Sequence, residues 1–464
     1  MKTRIASLMF AGFLLGGCSL IPAYEKPALP VASVYPGAST IAKENAADIQ
    51  WKTFFDDPAL QQLIQAALRN NRDLRVATLN VAAYQAKYRI RKADLLPSVT
   101  ADASGSRKRV PADLSPTDQA SVDGQYSVGL GMSYEVDLFG RVQSLSEEAL
   151  QEYLATEQAQ SAARISLIAS VANAWLTWQA DQQLLHITAD TADTFQRSYQ
   201  LTQRSAQVGT ATALSVRQAE TLLREAQGKY QQYLRQVAQD KNLLVMLLGE
   251  SLPLDLSVAE WSHPPMTAIP VGLPSDLLTH RPDILEAEHR LKSANANIGA
   301  ARAAFFPRIS LTATGGTSSN ELSNLFSAGS GSWSFAPVIS LPIFNAGALR
   351  ASLDVAKIEK DIDVARYEGV IQVAFREVSD GLAAAQTYGL QVESQQQLVD
   401  ASAEYYRLAE SRYETGIDSS LTLLDAQRTL FSAQQALISD QLAARVAAVD
   451  LYKALGGGWD KPAI

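Results

Sequence analysis

Few residues in this chain have the types and the spacing that catalysis or metal binding requires. Among its 464 residues are four histidines and a single cysteine. Glu286 and His289 show the Glu-x-x-His spacing of di-iron helical bundles, but such sites need the motif twice together with further glutamates, so we interpret His289 as a solvated or packed side chain. The chain has no HExxH motif and no GxxxxGK(S/T) phosphate-binding loop. We therefore predict no enzymatic activity and no catalytic, cofactor-binding or metal-binding residues.

The one cysteine, Cys18, is placed for covalent modification. Lys2 and Arg4 precede an apolar stretch at residues 5–15, and small residues separate that stretch from Cys18, which is the pattern of a signal peptide over residues 1–17. The stretch is too short to span a membrane as a helix, which needs about 20 residues. The tetrad ending at Cys18 resembles a bacterial lipobox, which implies cleavage before Cys18, an S-diacylglycerol on its sulfur and an N-acyl chain on its new amino group. The alternative is a stray buried thiol.

The residue after the cysteine and the overall charge bear on location and partners. Ser19 stands where an aspartate would retain a lipoprotein at the inner membrane, so we expect the outer membrane of a Gram-negative bacterium, with a body that extends into the periplasm. The chain carries 40 basic and 48 acidic residues, a net charge of −8. Proteins that bind nucleic acid present basic surfaces, so we expect no nucleic-acid partner.

The chain is internally duplicated. A shift of 210 residues aligns one block of identities and a shift of 207 aligns a later block. The aligned pairs include Asp73 with Asp283, Pro97 with Pro307, Gly105 with Gly315, Gly209 with Gly416, and Gly249 with Gly456. Because this period far exceeds the roughly 20–50 residues of solenoid repeats, each half is predicted to be a unit that needs its twin. We divide the chain into the signal peptide 1–17, a lipid-anchored extended segment 18–60, a first repeat 61–250, a Pro-rich linker 251–274, a second repeat 275–456 and a tail 457–464.

The distribution of proline predicts two long helical hairpins. All 18 prolines lie outside 117–252 and 343–461, and a proline inside a helix costs about 3 kcal/mol. We predict hairpins at 140–249 and 345–456, whose first helices are rods of roughly 100 Å. Each rod ends at a glycine in a polar turn, where the left-handed backbone suits glycine. After the second turn, Asp418 or Ser419 is expected to cap the next helix.

A pair of strand-like segments precedes each hairpin, at about 97–138 and 307–343. Apolar side chains alternate there with small or polar ones, which fits either a half-buried strand of a soluble sheet or a barrel wall between lipid and water. The stretches 106–121 and 316–332 are expected to be hairpin loops. In lipid, four strands cannot close a barrel, for which about eight is the smallest number, and unpaired edges are costly. Three chains would supply twelve strands and an open lumen.

Several motifs carry a family resemblance. They are Asp137-Leu138-Phe139-Gly140-Arg141, Arg281-Pro282-Asp283, Ala304-Phe305-Phe306-Pro307, Phe344-Asn345-Ala346-Gly347, Leu423-Leu424-Asp425-Ala426-Gln427-Arg428 and Leu455-Gly456-Gly457-Gly458-Trp459. Together they resemble the TolC/OprM family over essentially the whole mature chain, and above all its lipoprotein branch that serves multidrug pumps of the resistance–nodulation–division type. The resemblance implies a mainly α fold with β: a homotrimer, a twelve-stranded outer-membrane barrel and a periplasmic helical barrel.

The resemblance also implies a function, partners and sites. Such a channel is a passive duct for drugs and other small toxic molecules, and its partners are outer-membrane lipid, a periplasmic membrane-fusion adaptor and an inner-membrane transporter. The adaptor would dock on the two tips, which are Val208, Gly209, Thr210, Thr415, Gly416 and Ile417. A gate at the periplasmic end would comprise Leu421, Asp425, Arg428 and Leu214. In the first repeat, Gln218 and Thr221 replace the charged pair of this gate.

Other interpretations stay open at this point. The spacing of Asp425 and Arg428 alone also fits a solvated surface pair. The channel could serve protein secretion by an ATP-driven pump. The chain could instead be a periplasm-spanning structural lipoprotein without a lumen, although the strand alternation and the duplicated hairpins argue against that.

Overall fold

The structure is a computed structural model that describes residues 19–35, 49–115, 118–253 and 276–458. Cys18, the signal peptide, most of the Pro-rich linker and the end of the predicted tail lie outside the described residues. The chain divides into two compact units. Unit 1 comprises Met1–Ala28, Asn80–Glu157 and Glu286–Tyr367, and unit 2 comprises Leu29–Leu79, Gln158–Leu285 and Glu368–Ile464.

Apart from one additional short helix at the start of the first half, the elements follow the same order in both halves of the chain. In the first half they are α1 (Trp51–Phe54), α2 (Pro58–Asn70), α3 (Arg72–Ala93), β1 (Ser98–Val110), β2 (Ser121–Val136), α4 (Arg141–Gln207) and α5 (Ala213–Leu248). In the second half they are α6 (Leu277–His280), α7 (Pro282–Ala303), β3 (Arg308–Ser319), β4 (Gly331–Ser340), α8 (Ala348–Glu414) and α9 (Ser420–Ala454). Short 3-10 turns at Ala112–Leu114 and Leu322–Asn324 follow β1 and β3. The prediction of a duplicated, mainly helical chain with four antiparallel strands is confirmed.

The long helices are the dominant elements. α4 and α8 contain 67 residues each, which corresponds to about 100 Å at 1.5 Å per residue. Their return helices contain 36 and 35 residues. Within the described residues, no helix combines the length and the apolar character needed to cross a membrane.

Each return helix ends against the start of its own repeat. Gly249 closes α5 with φ at 70°, and a Cβ built there would lie 2.4 Å from the backbone oxygen of Asn70. Gly456 follows α9 with φ at 82°, and its Cβ would lie 2.6 Å from the backbone oxygen of His280. Only glycine fits both the left-handed backbone and this close approach. The two repeats therefore share this tertiary contact as well as their sequence similarity.

The main core of unit 2 joins the start of the first repeat to both helical hairpins. Buried side chains of α1 and α2 pack with the middle of α4 and with the ends of α5 and α9. Trp175 of α4 is fully buried at its centre, and its indole Nε1 donates to Asp57 Oδ2 at 2.8 Å. The other carboxylate oxygen of Asp57 accepts from the backbone N of Ala59 at 2.8 Å and so caps α2. The Asp57 carboxylate thus accepts hydrogen bonds from a backbone N–H at the start of α2 and from the buried indole of Trp175.

The four strands of unit 1 form one antiparallel sheet in the order β1-β2-β3-β4. Within the described residues, β1 and β4 each pair with a single neighbour, so both edges of the sheet are open. The ladder between β1 and β2 continues to the pair Val110 and Ser121, and β3 continues to Ser319. The predicted hairpin loops at 106–121 and 316–332 are therefore too long, and β4 ends at Ser340, before the predicted strand limit of 343. The polar composition of these stretches suggested loops, but backbone pairing along the β1–β2 and β3–β4 ladders extends the strands into them.

The register gives the sheet two chemically different faces, because directly paired residues share a face and successive residues alternate. On one face, a first row consists of Val99, Met132, Ala313 and Phe335. The neighbouring row on that face consists of Ala101, Leu130, Gly315 and Trp333. A row on the opposite face is Thr100, Gly131, Thr314, Ser334. The apolar face is uncovered, with the Trp333 side chain 82% exposed. Hydroxyl pairs cross the polar face at 2.6 and 2.8 Å.

Candidate functional site

The first predicted tip is the turn between α4 and α5. Val208 is largely exposed, and Gly209 adopts φ of 83° with no atom near the position of an added Cβ. The left-handed backbone, and not lack of space, therefore explains the glycine. The backbone N of Thr210 donates to Ser205 O at 2.8 Å, and the Thr212 hydroxyl caps α5.

The second tip has the same backbone geometry but a different polar clamp. Gly416 adopts φ of 73°, and the backbone N of Ile417 donates to Arg412 O at 2.9 Å, which is the counterpart of the bond at Thr210. The hydroxyl of Thr415 donates to a preceding helix carbonyl at 3.0 Å. Both tips thus present an apolar side chain from a turn closed by backbone hydrogen bonds.

The expected side-chain cap of α9 is absent. Ser419 occupies the N-cap position without a side-chain cap hydrogen bond. The Asp418 carboxylate instead accepts from Arg412 Nε at 2.7 Å and Nη2 at 3.0 Å, and these bonds hold the pKa of Asp418 below its ordinary value. The prediction of a cap was wrong because a bidentate guanidinium pair across the turn competes with the cap for the carboxylate.

The charged residues of the predicted gate form an ion pair on α9. Arg428 Nη2 lies 2.7 Å from Asp425 Oδ1, and the two side chains are 64% and 46% exposed. Tyr405 of α8 donates a long hydrogen bond of 3.5 Å to the other Asp425 oxygen. The hydrogen bond to Asp425 raises the pKa of the Arg428 guanidinium. The pair is therefore a charged, solvent-facing feature of the hairpin.

A groove of about 330 Å³ between α5 and α9 brings the gate residues against their repeat counterparts. It is lined by Leu421, Leu424, Asp425 and Arg428 from the second repeat and by Gln218, Thr221 and Leu222 from the first. Gln218 and Thr221 are the aligned partners of Asp425 and Arg428. The duplication therefore sets the charged pair opposite its neutral equivalent. Leu214, the fourth predicted gate residue, is exposed and does not line this groove.

The Glu-x-x-His motif takes part in a packed polar contact in unit 1. Glu288 pairs with Lys292 at 2.8 Å and with Lys26 at 2.9 Å. The Nδ1 atom of His289 lies 2.7 Å from Gln151 Oε1, and burial lowers the pKa of this imidazole, with Lys292 adding to the effect. Across the part of the chain that the structure describes, no group of His, Cys, Asp and Glu side chains could hold a metal ion.

Two polar contacts near the tips were not predicted. The Arg412–Asp418 pair spans a turn and joins residues six apart, a spacing that helix rules do not cover. The contact of Tyr405 with Asp425 joins two antiparallel helices, and no local pattern signals it. For the Arg412–Asp418 pair, the usable signal in the sequence was a turn glycine, Gly416, with opposite charges on its two sides. The predicted lipidation site, Cys18, lies outside the described residues.

The chain matches a family model and several known proteins along nearly its whole length. The model described as outer membrane efflux protein matches residues 63–250 and again 273–457, in agreement with the duplication. Two relatives from Pseudomonas putida, the antibiotic efflux pump outer membrane protein ArpC and the toluene efflux pump outer membrane protein TtgC, are each 57% identical to this chain. These alignments cover 99% of this chain and 96% of each relative.

A solved structure shares the fold at similar coverage. The open state of the Neisseria gonorrhoeae MtrE outer membrane channel superimposes with a TM-score of 0.87 at 40% identity, over 95% of this chain and 99% of that chain. The sequence identity, the twofold match of the family model and the shared fold all indicate the same family. The chain therefore belongs to the outer membrane efflux protein family, which confirms the outer-membrane location and the role in efflux that its sequence predicted.

Proposed function

We propose that three copies of this chain form a passive outer-membrane exit duct of a tripartite efflux pump. The four strands of each copy would join those of two others in a twelve-stranded barrel. The helical hairpins would form a tunnel in the periplasm. A periplasmic adaptor and an inner-membrane transporter of the resistance–nodulation–division type would complete the pump and supply the energy.

One observation carries this proposal: the sheet has an uncovered apolar face, a polar face and two open edges. In water, such a sheet would leave large apolar side chains such as Trp333 solvated. In lipid, open edges would leave backbone groups without partners. Pairing β1 of one copy with β4 of the next satisfies both requirements, with the apolar face toward lipid and the hydroxyl-rich face toward a water-filled lumen.

The same assembly gives roles to the ends of the hairpins. The exposed apolar residues Val208 and Ile417 would make the first contacts with the adaptor. The Asp425–Arg428 pair and Leu421 would narrow the periplasmic end on one hairpin per chain, because Gln218 and Thr221 carry no charge. Lipid chains on Cys18 would add a second attachment to the membrane.

The relatives named for antibiotic and toluene efflux indicate the cargo. We infer that this duct exports drugs and small apolar toxic molecules rather than folded protein. A deletion strain should then become more susceptible to such compounds while its secretion of protein is unchanged.

Two measurements on detergent-purified protein test the duct. Light scattering should give the mass of three acylated protomers, and the same material should conduct ions in planar bilayers. A monodisperse single copy that is stable in micelles would overturn the trimer. A trimer that never conducts would favour the structural tether instead.

A further inference from the structure

Three consecutive basic residues lie near the end of β1. Arg107, Lys108 and Arg109 are all exposed and paired into the β1–β2 ladder, just before its last pair, Val110 with Ser121. β1 begins directly after α3, and β2 leads directly into α4. This end of the hairpin is therefore the one farthest along the strands from the helices.

The register separates the three residues between the two faces of the sheet. Arg107 pairs with Gly124 and Arg109 pairs with Val122, both on the apolar face. Lys108 lies on the opposite, polar face. At about 3.4 Å per residue, the two arginines lie about 7 Å apart on the same face.

These arginines lie just beyond the apolar band. On their face of β2, apolar and aromatic side chains occupy every second position from Val136 to Tyr126. Those ten steps span about 34 Å along the strand, or about 25 Å of height at the usual barrel tilt. That height matches the apolar band of an outer-membrane barrel, about 25 Å. The Tyr126 ring, which lies against Gly105, ends the band one row below Arg107.

Neither arginine has a carboxylate on its own face of the ladder. The facing positions are a glycine and a valine, and Asp123 lies across from Lys108 on the other face. Asp113 and Asp118 lie in the connecting turn. Among the described residues, Arg107 and Arg109 form no ion pair or hydrogen bond of their side chains with any of these groups. Two guanidinium groups are thus available above an apolar surface.

We propose that Arg107 and Arg109 bind phosphate groups of the lipid in the outer leaflet, which in a Gram-negative outer membrane is phosphorylated lipopolysaccharide. This proposal rests on the proposed function, because it needs the apolar face to lie against lipid. A guanidinium presents a planar set of donors that matches phosphate oxygens in a bidentate manner. The acyl chains of the same lipid would cover the apolar rows below, so one ligand would fit both surfaces.

The test compares binding of detergent-purified protein to immobilised lipopolysaccharide with binding to the same lipid after enzymatic removal of its phosphates. Each basic residue near an anionic membrane surface contributes roughly a fivefold factor, so R107Q with R109Q should weaken binding by roughly thirtyfold. K108Q, on the polar face, is the matched control and should bind like the parent protein. Removal of the lipid phosphates should abolish the difference between the double variant and the parent.

Three results would overturn the assignment to lipid phosphate. They are equal binding by the parent and the double variant, an equal loss with K108Q, and full competition by inorganic phosphate at a matched phosphate concentration. Planar-bilayer conductance is measured on every variant. Conductance that persists while binding is lost supports the lipid site, whereas a parent protein that never conducts refutes the duct itself. If the double variant forms no channel, R107Q and R109Q are measured separately, each with an expected loss of about fivefold.

Discussion

Replacing Arg281 should destabilise unit 2 strongly, because this buried guanidinium joins three segments. Its Nη1 donates to Glu377 Oε2 at 2.7 Å and to the backbone oxygen of Ala454 at 3.0 Å. Its Nη2 and Nε donate to the two oxygens of Asp283 at 2.6 and 3.0 Å. The arginine therefore ties the start of the second repeat to α8 and to the last turn of α9.

The magnitude follows from the burial of the partners. The Arg281 side chain is 9% exposed, whereas those of Asp283 and Glu377 are 37% and 38% exposed. Removing one partner of a fully buried pair costs about 3–5 kcal/mol. Because solvent screens both carboxylates here, we expect Arg281→Ala to lower the free energy of unfolding by about 2–3 kcal/mol.

The first repeat supplies a matched design. Asn71 occupies the equivalent position, and its Nδ2 donates to the backbone oxygen of Leu247 at 2.9 Å, the counterpart of the bond from Arg281. Arg281→Asn combined with Glu377→Gln should keep that carbonyl bond and remove one of the two carboxylates that lose their guanidinium partner, leaving Asp283 as the other. We expect this double variant to recover about 1 kcal/mol relative to Arg281→Ala.

Chemical denaturation of the detergent-purified protein, followed by circular dichroism at 222 nm, measures these differences. The midpoint should be lowest for Arg281→Ala and intermediate for the double variant. An alanine variant that unfolds at the parent midpoint would refute the role of the network. A double variant no more stable than the alanine variant would refute the equivalence of the two repeats at this position.

Three further predictions concern other sites. Asp57→Ala removes a helix cap and the acceptor for a buried indole, so it should cost about 2 kcal/mol in chemical denaturation, with Asp57→Asn much milder; equal effects of the two would contradict this reasoning. Burial, the charge of Asp240 and a hydrogen bond with it raise the pKa of Asp181 to about 7. The folded protein then keeps a proton that the unfolded chain releases near pH 4, so stability should fall as the pH rises from about 4 to 7. Burial also raises the pKa of Asp240, so Asp181→Asn should reduce that fall in thermal melts at pH 5 and pH 8, and a fall of unchanged size would exclude Asp181 as a cause. Asp425→Ala with Arg428→Ala should raise single-channel conductance in planar bilayers, and unchanged conductance would refute the gate.

Features that repeat along the backbone were predictable from the sequence. A proline interrupts a helix wherever it falls, so the absence of proline from 117–252 and 343–461 marks the two hairpins. Alternation with period two marks a strand because successive side chains point to opposite faces. The glycines at both tips were predictable because a left-handed backbone favours this residue type locally. The duplication was visible because identical residues recur at a nearly constant offset along the sequence.

Only the tertiary structure decided which of these elements meet. Arg281 binds the backbone oxygen of Ala454, 173 positions away, and no local pattern selects that carbonyl. Asp418 binds Arg412 and not the first turn of α9, because the folded turn brings the guanidinium within reach. The faces of the sheet likewise follow from its register, which is set by the pairing of four separate strands and not by any one of them. Local backbone preferences are contained in neighbouring residues, whereas contacts between distant residues exist only after the chain has folded.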